Sequence, residues 1–196
     1  MLVDANILVY AVDRASPFHE RAATFMEEVL NGPRRVGLPW PALAAFVRIC
    51  THPRALEAPL DPAEAWSFVD DWLSCEVAWT PVPTRRHAEV LGGLVRRYHL
   101  RGNLVSDAHL AALAVEHGLA VCSADTDFAR FAEITWRNPR AGCGGRLRGP
   151  AGGTAAVARP GSGRGRAGFR RGDAGRGSGG AMPGDAAGTS APAGRG

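Results

Sequence analysis

The sequence predicts a three-layer α/β/α sandwich with a mainly parallel sheet, followed by a disordered C-terminal tail. Over residues 1–139, short apolar runs typical of buried strands alternate with longer amphipathic segments typical of helices. Strands separated by helices pair in parallel and place helices on both faces of the sheet. After residue 139 the composition narrows to Gly, Ala, Arg, Pro and Ser, which cannot bury enough apolar surface to fold. We therefore predict a folded domain at 1–139 and a disordered tail at 140–196.

The first half of the domain begins with a short buried strand, Leu2–Val3, that ends at Asp4. An apolar helix follows over residues 6–12. Ser16 before Pro17 is typical of a helix N-cap with proline at the first helical position, and this second helix ends near residue 31. The other elements predicted in this half are a strand at 35–38, a helix at 41–51 and a helix opened by the capping box at 61–64.

The second half repeats the alternation. A strand is predicted at 77–80, and Thr84 is expected to cap the helix that follows it. Ser106 is expected to cap an alanine-rich and leucine-rich helix that ends at Gly118. A buried strand at 119–122, a short helical turn and a weak last strand at 134–136 complete the domain.

The positive charge of the chain belongs to its tail. The sequence carries a net charge of +4, but residues 1–140 contain 14 Arg against 17 Asp and Glu, and residues 141–196 contain 9 Arg against 2 Asp. The overall positive charge therefore gives no argument for a nucleic-acid-binding surface on the domain itself. The sequence contains 23 arginines and no lysine, which excludes mechanisms that require a lysine, such as a P-loop.

The sequence predicts a cytoplasmic protein with no membrane segment. Its four cysteines show no paired spacing, which favours reduced thiols. The apolar N-terminus lacks a basic region and contains Asp4, unlike a signal peptide. No apolar run approaches the roughly 18 residues of a membrane span.

Four carboxylates are expected at one edge of the sheet. Asp4 ends the first strand, Asp107 follows the Ser106 cap, and Asp125 and Asp127 follow the fourth strand. In a parallel sheet these positions meet at the carboxyl ends of the strands, where ligands bind. Like charges gathered there repel one another, and a divalent cation would compensate them.

Each acid also has a purely structural explanation. Asp4 could cap the first helix, and Asp107 could interact with a helix dipole. Asp125 and Asp127 could form an Asx turn. The coincidence of all four at strand ends is what favours a metal site over these separate explanations.

Three sequence blocks resemble the VapC-type toxins of the PIN-domain family. They are VDANILVYAVD at the start, GLPWPALAAFVRICTHPR in the middle and GNLVSDAHLAALAVEHGLAVCSADTDFARF near the end. The resemblance covers residues 1–139 in the order of the family, and the tail has no counterpart. It implies a Mg²⁺-dependent endoribonuclease, with Mn²⁺ as an alternative ion, held inactive by a cognate VapB-type antitoxin. Pairing into a homodimer is also implied.

The resemblance assigns roles residue by residue. Asp4 and Asp107 match metal-binding and catalytic aspartates of the family, and Asp125 matches a further catalytic aspartate. Asp127, Asn6 and Ser123 match supporting polar positions. Because the domain is net negative, RNA would be held by local arginines such as Arg48, Arg96, Arg97 and Arg101.

One residue departs from the family pattern. Many members carry a glutamate where this sequence has Ala45. The metal site would then contain fewer carboxylates, which leaves a second hypothesis: a weak or inactive PIN domain that binds antitoxin or RNA without cleaving. A phosphatase using Asp125 and Asp127 as a D-x-D pair is disfavoured because it would need a lysine. A PIN-like nuclease acting on DNA flaps would usually need a longer chain.

Overall fold

The computed structural model describes residues 1–139, so the predicted tail at 140–196 lies outside the described residues. The strands are β1 (Leu2–Val3), β2 (Val36–Gly37), β3 (Ala78–Trp79), β4 (Val121–Cys122) and β5 (Trp136–Arg137). The helices are α1 (Ala5–Val12), α2 (His19–Leu30), α3 (Trp40–Cys50), α4 (Pro62–Ser74), α5 (His87–Arg97) and α6 (Leu104–His117). A 3₁₀ helix, Thr126–Arg130, lies between β4 and β5.

The five strands form one parallel sheet in the order β3-β2-β1-β4-β5. Leu2 of β1 lies opposite Gly37 of β2 on one side and Val121 of β4 on the other. The chain thus starts in the middle of the sheet and builds outward in both directions. The predicted parallel sheet is confirmed.

The sheet separates two apolar cores. Val3 and Cys122 point to one face, where they pack with buried side chains of α1 to α4 such as Phe46. Their neighbours Leu2 and Val121 point to the other face and pack with buried side chains of α5 and α6. This alternation follows from the two-residue period of a strand. Burial on both faces explains the continuous apolar sequence of β1 and β4 and confirms the three-layer α/β/α fold.

Two predicted helix caps precede their helices instead of capping them. The Ser16 hydroxyl accepts a hydrogen bond from Phe18 N–H (3.2 Å), and Thr84 Oγ1 accepts one from Arg86 N–H (3.1 Å). Each hydroxyl therefore closes a turn in the loop, and α2 and α5 begin after that turn. The predicted starts were wrong because Ser and Thr stabilise such turns by the same hydrogen bond that they use in a cap.

The predicted cap at Ser106 is also wrong, because α6 already begins at Leu104. Asn103 has helical backbone angles, and its carbonyl accepts the Ser106 N–H at 2.9 Å. Ser106 therefore lies inside the first turn. Asp107 remains in that turn as its fourth residue, instead of opening the helix.

Other helix ends agree with the sequence. Asp61 caps α4 by accepting the Ala63 N–H at 2.8 Å. Gly118 ends α6 with φ +63°, a left-handed conformation that strains residues with a Cβ. Among residues 1–139, no helix combines the length and apolar character that crossing a membrane requires. Cys50, Cys75 and Cys122 are free thiols, and Cys143 lies outside the described residues.

Candidate metal centre

The centre lies where β1 and β4 end side by side. The Asp4 N–H donates to the Cys122 carbonyl at 3.0 Å, so the residues that follow the two strands emerge together. Asp4 lies between β1 and α1, and Ser123 to Asp125 follow β4. The parallel pairing of these two adjacent strands thus brings residues about 120 positions apart onto one edge.

Asp4 is held by three donors. Its Oδ1 accepts the Ala5 N–H at 2.7 Å, which caps α1. Its Oδ2 accepts Asn6 Nδ2 at 2.9 Å and the Ser123 hydroxyl at 2.7 Å. Burial raises the pKa of Asp4, an effect that the hydrogen bonds from Ser123 and Ala5 oppose and the charge of Asp125 reinforces. The capping explanation and the site explanation of Asp4 are therefore compatible.

Ser123 links the two strand ends. Its side chain is fully buried, and its hydroxyl donates to Asp4 while accepting from Asn6 Nδ2 (2.9 Å) and from the Asp125 N–H (3.0 Å). Asn6 in turn accepts the Ala124 N–H at 3.1 Å through its Oδ1. Asn6 and Ser123, two of the three residues that the family resemblance assigned to supporting positions, thus connect Asp4 with the turn that carries Asp125.

Three carboxylates converge in front of this network. One oxygen atom from each of Asp107, Asp125 and Asp127 lies within 4.8 Å of the corresponding atoms of the other two. Asp125 and Asp127 are fixed relative to each other because Asp125 Oδ1 accepts the Asp127 N–H at 2.8 Å and starts the 3₁₀ helix. The Asx turn considered from the sequence is therefore present, and it holds both carboxylates beside Asp107.

The crowding changes the acidity of Asp107. Burial, together with the negative charges of Asp125, Asp4 and Asp127, raises the pKa of this half-buried carboxyl to about 6, whereas Arg130 acts in the opposite direction. Such a shift means that ionising all four acids together is unfavourable without a positive charge. Asp4 is not among the three acids with converging oxygens, but its charge acts on Asp107, so the four predicted acids form one electrostatic unit.

Arg130 also belongs to this unit, although it was not predicted from the sequence. Its Nη2 forms an ion pair with Asp127 Oδ1, and its Nε donates to the Asp127 carbonyl at 3.1 Å. The signal was available, since an acid and an arginine three residues apart in a helical segment lie on the same face. The guanidinium supplies a fixed positive charge at the margin of the acidic cluster.

The donor set fits a hard divalent cation. Carboxylate oxygens are the ligands that Mg²⁺ and Mn²⁺ prefer, and Mg²⁺ usually takes only one or two of them and keeps several waters. Three converging oxygens and a fourth carboxylate nearby satisfy this requirement without a further protein ligand. Ala45, the position of the departure from the family pattern, is half-buried on α3.

A second polar cluster joins α5 and α6. Glu116 accepts hydrogen bonds from His87 Nδ1 (3.1 Å) and from both the backbone and the hydroxyl of Thr84, while His87 Nε2 pairs with His109 Nδ1 at 2.9 Å. Burial acts to raise the pKa of Glu116, but the hydrogen bonds from His87 and Thr84 outweigh it and hold that pKa below its usual value. Nothing local in the sequence indicates these contacts, which link residues 22 to 32 positions apart.

The described domain resembles known proteins in sequence. The profile of the PIN domain family matches residues 1–134. Ribonuclease VapC37 of Mycobacterium tuberculosis is 42% identical over 140 residues, which cover 71% of this chain and 97% of the relative. Ribonuclease VapC33 of the same species is 39% identical over 139 residues, with the same coverage of both chains.

A solved structure has the same fold. A chain in the crystal structure of VapBC2 from Rickettsia felis, bound to a DNA fragment from their promoter, superposes with a TM-score of 0.51 at 16% sequence identity. The match covers 70% of this chain and 96% of that one. With its fold, its profile match and its relatives in agreement, this chain belongs to the PIN-domain family, within the VapC-type group.

Proposed function

We propose that the protein is a Mg²⁺-dependent endoribonuclease and the toxin of a type II toxin–antitoxin pair. The observation that carries the proposal is the convergence of Asp107, Asp125 and Asp127 beside Asp4, with the pKa of Asp107 raised to about 6 by burial and its acidic neighbours. The relatives that are named ribonucleases match almost their whole length to this chain, which supports RNA as the substrate.

Each acid has a role in the proposed reaction. Asp4 and Asp107 would hold the cation directly or through water, and Asp125 would orient the water that attacks the phosphate. Asp127 would complete the acidic cluster, while Asn6 and Ser123 keep the carboxylate of Asp4 in place. A bound Mg²⁺ supplies an acidified water and neutralises charge on the phosphate. The chain supplies the fixed positions of the oxygen atoms.

The proposed partners follow from the family. A cognate VapB-type antitoxin would hold the toxin inactive, the toxin would pair as a homodimer, and both would act in the cytoplasm. The second candidate function is a PIN domain that binds antitoxin or RNA with little cleavage. It is favoured by Ala45, because a missing carboxylate would weaken the site.

The proposal is tested by incubating the purified protein with single-stranded and structured RNA in Mg²⁺, in Mn²⁺ and in EDTA. We expect internal cleavage with either ion and none in EDTA, with matched DNA left intact. Antitoxin binding without cleavage under any of these conditions would favour the second candidate. Cleavage that persists in EDTA would contradict metal dependence.

The role of Ala45 gives a prediction of its own. If Ala45 faces the site, Ala45→Glu adds a like charge, which should lower the melting temperature in EDTA. The same variant should gain more than the parent from Mg²⁺ or Mn²⁺, since a ligand at a hundredfold excess over its Kd stabilises by about 2.7 kcal/mol. Differential scanning fluorimetry measures both shifts, with Na⁺ at matched ionic strength as the control. An equal metal-induced shift in the two proteins would mean that Ala45 does not face the cation.

A further inference from the structure

We propose that Arg130 is a substrate-binding residue that holds a phosphate of the RNA next to the acidic cluster. This inference rests on the proposed ribonuclease function and adds to it a contact for the nucleic acid. Four carboxylates repel an RNA backbone, so a nuclease with this cluster needs a positive charge where the phosphate approaches. Arg130 lies at that place because its ion-pair partner, Asp127, is one of the three converging acids.

The guanidinium of Arg130 is oriented by one of its edges. Nε donates to the Asp127 carbonyl at 3.1 Å, and Nη2 donates to the carboxylate of the same residue. Nε and Nη2 form one side of the planar guanidinium, so the two bonds fix the plane as well as the position. The Asp127 N–H donates to Asp125 Oδ1 at 2.8 Å. The position of the Arg130 guanidinium therefore depends on the acidic cluster.

The other edge of the guanidinium is available. Among residues 1–139, Nη1 has no hydrogen-bond partner, and Nη2 uses one of its two N–H groups on Asp127. The side chain as a whole is 35% exposed, so it borders the solvent from which RNA would approach. Two parallel N–H groups match two oxygens of a phosphate, a geometry in which arginine binds phosphate bidentately.

Arg97, an arginine nominated from the sequence, is already engaged elsewhere. It forms an ion pair with Glu133 at 2.9 Å and lies 5.5 Å from the centre of the Tyr98 ring. Among the described residues, Arg130 is the cation whose charge acts on Asp107. Arg130 therefore supplies a positive charge at the proposed cation site.

A purely structural role makes a different prediction. If Arg130 served only to position Asp127 for the cation, its removal would weaken cation binding. If it binds phosphate, its removal weakens RNA binding, while the cation is bound at least as well because the cluster loses a nearby positive charge. The two roles therefore move cation affinity in opposite directions.

The experiment compares Arg130→Gln with the matched control Arg86→Gln. Arg86 also forms an ion pair three residues away, with Glu89 at 4.0 Å, and it is exposed. The Arg86 N–H donates to Thr84, and Thr84 contacts Glu116. Glu116 lies roughly 13 Å along α6 from Asp107, at 1.5 Å per residue, so Arg86 is remote from the acidic cluster. Binding of a fluorescent single-stranded RNA is measured by anisotropy in Ca²⁺, and cleavage in Mg²⁺ gives kcat and KM. The melting temperature with and without Mg²⁺ reports cation binding.

We expect Arg130→Gln to weaken RNA binding at least tenfold, as the loss of a charge-assisted hydrogen bond implies. It should raise KM more than it lowers kcat, and it should flatten the dependence of log K on log salt by about 0.7 for the lost phosphate contact. Its Mg²⁺-induced melting shift should equal or exceed that of the wild type. Arg130→Lys keeps the charge without the bidentate geometry, and its RNA affinity should fall between those of Arg130→Gln and the wild type.

Three results would overturn the inference: RNA binding by Arg130→Gln equal to that of Arg86→Gln, loss of the Mg²⁺-induced shift along with RNA binding, or a wild type that binds no RNA. If the wild type binds RNA but does not cleave it, a selective loss of binding in Arg130→Gln still supports the contact. The ribonuclease proposal would then fail separately.

Discussion

Replacing Asp107 with asparagine is expected to abolish Mg²⁺-dependent RNA cleavage and at the same time to stabilise the metal-free protein. The loss of cleavage follows from removing one of the carboxylates that would hold the cation. The gain in stability follows because burial and the charges of Asp125, Asp4 and Asp127 disfavour ionisation of Asp107, which raises its pKa to about 6. An amide of the same shape carries no charge and experiences no such repulsion.

The gain should depend on pH in a defined direction. Because the pKa of Asp107 is raised in the folded state, folding favours the protonated form. The wild type therefore loses stability as the pH rises from about 4, near the ordinary value for Asp, to about 6, and stays lower above that. The variant should melt about 3 °C higher than the wild type at pH 7.5 in EDTA, since about 1 kcal/mol remains after solvent screening of a half-buried group. The difference should vanish near pH 4.

Mg²⁺ should reverse the order of the two proteins. The wild type binds the ion only when folded and is stabilised by about 2.7 kcal/mol at a hundredfold excess over Kd, whereas the variant gains little. Asp70→Asn is the matched control, because it removes an exposed acid on α4, a helix that packs against α3 and β3. If Asp107→Asn cleaved RNA at the same rate as the wild type at equal protein concentration, the assignment of the site would be refuted.

Asp4→Asn should also abolish cleavage, but it should lower the stability instead of raising it. Both oxygens of Asp4 accept hydrogen bonds, from Ala5, Asn6 and Ser123. An amide retains one oxygen and turns an NH₂ group toward one of these donors, which costs about 1–3 kcal/mol for a buried group left unpaired. Melting curves in EDTA should thus place Asp4→Asn below the wild type and Asp107→Asn above it. Two inactive variants with opposite stabilities would separate loss of chemistry from loss of fold.

The sequence was sufficient for the architecture because the signals involved are regular. The apolar runs of β1 and β4 are buried on both faces, and the helices between the strands dictate parallel pairing. That pairing alone brings Asp4 close to the Ser123–Asp125 segment, so the edge that carries the acids could be predicted before any contact was known. Asp61 and Gly118 were predicted as helix ends because each makes the backbone interaction that its residue type favours.

Features that depend on the detailed path of the backbone were not predicted. Ser16, Thr84 and Ser106 were all interpreted as helix caps. In the structure Ser16 and Thr84 each form a hydrogen bond that closes a loop turn, and Ser106 lies inside α6. The residue type identifies the hydrogen bond that a hydroxyl makes, but the backbone angles of the flanking residues decide where the helix begins. The contacts of Glu116 with Thr84 and His87 depend on how α5 packs on α6, for which the sequence carries no local signal.

Ser123→Ala should reduce both stability and cleavage, although Ser123 lies behind the acids and would not contact the cation or the RNA. The change removes three hydrogen bonds, to Asp4 Oδ2, from Asn6 Nδ2 and from the Asp125 N–H. The site is fully buried, so water cannot readily replace the hydroxyl, and the Asp125 N–H loses its partner. We expect a loss of about 1–3 kcal/mol in the free energy of unfolding, measured by urea denaturation.

Cleavage should fall about tenfold in Ser123→Ala beyond any effect of unfolding, because Asp4 and Asp125 lose the atom that links them and a misplaced group at a reacting centre lowers the rate. Ser67→Ala is the matched control, since it removes an exposed hydroxyl whose hydrogen bond within residues 1–139 goes to the Glu64 carbonyl of its own helix. Ser123→Thr retains the hydroxyl and should recover most of the activity even where its extra methyl group lowers stability. Activity should therefore follow the presence of the hydroxyl across the three Ser123 side chains, while stability need not. If Ser123→Ala were less stable but had unchanged kcat and KM when fully folded, the residue would hold the two strand ends together without positioning the carboxylates.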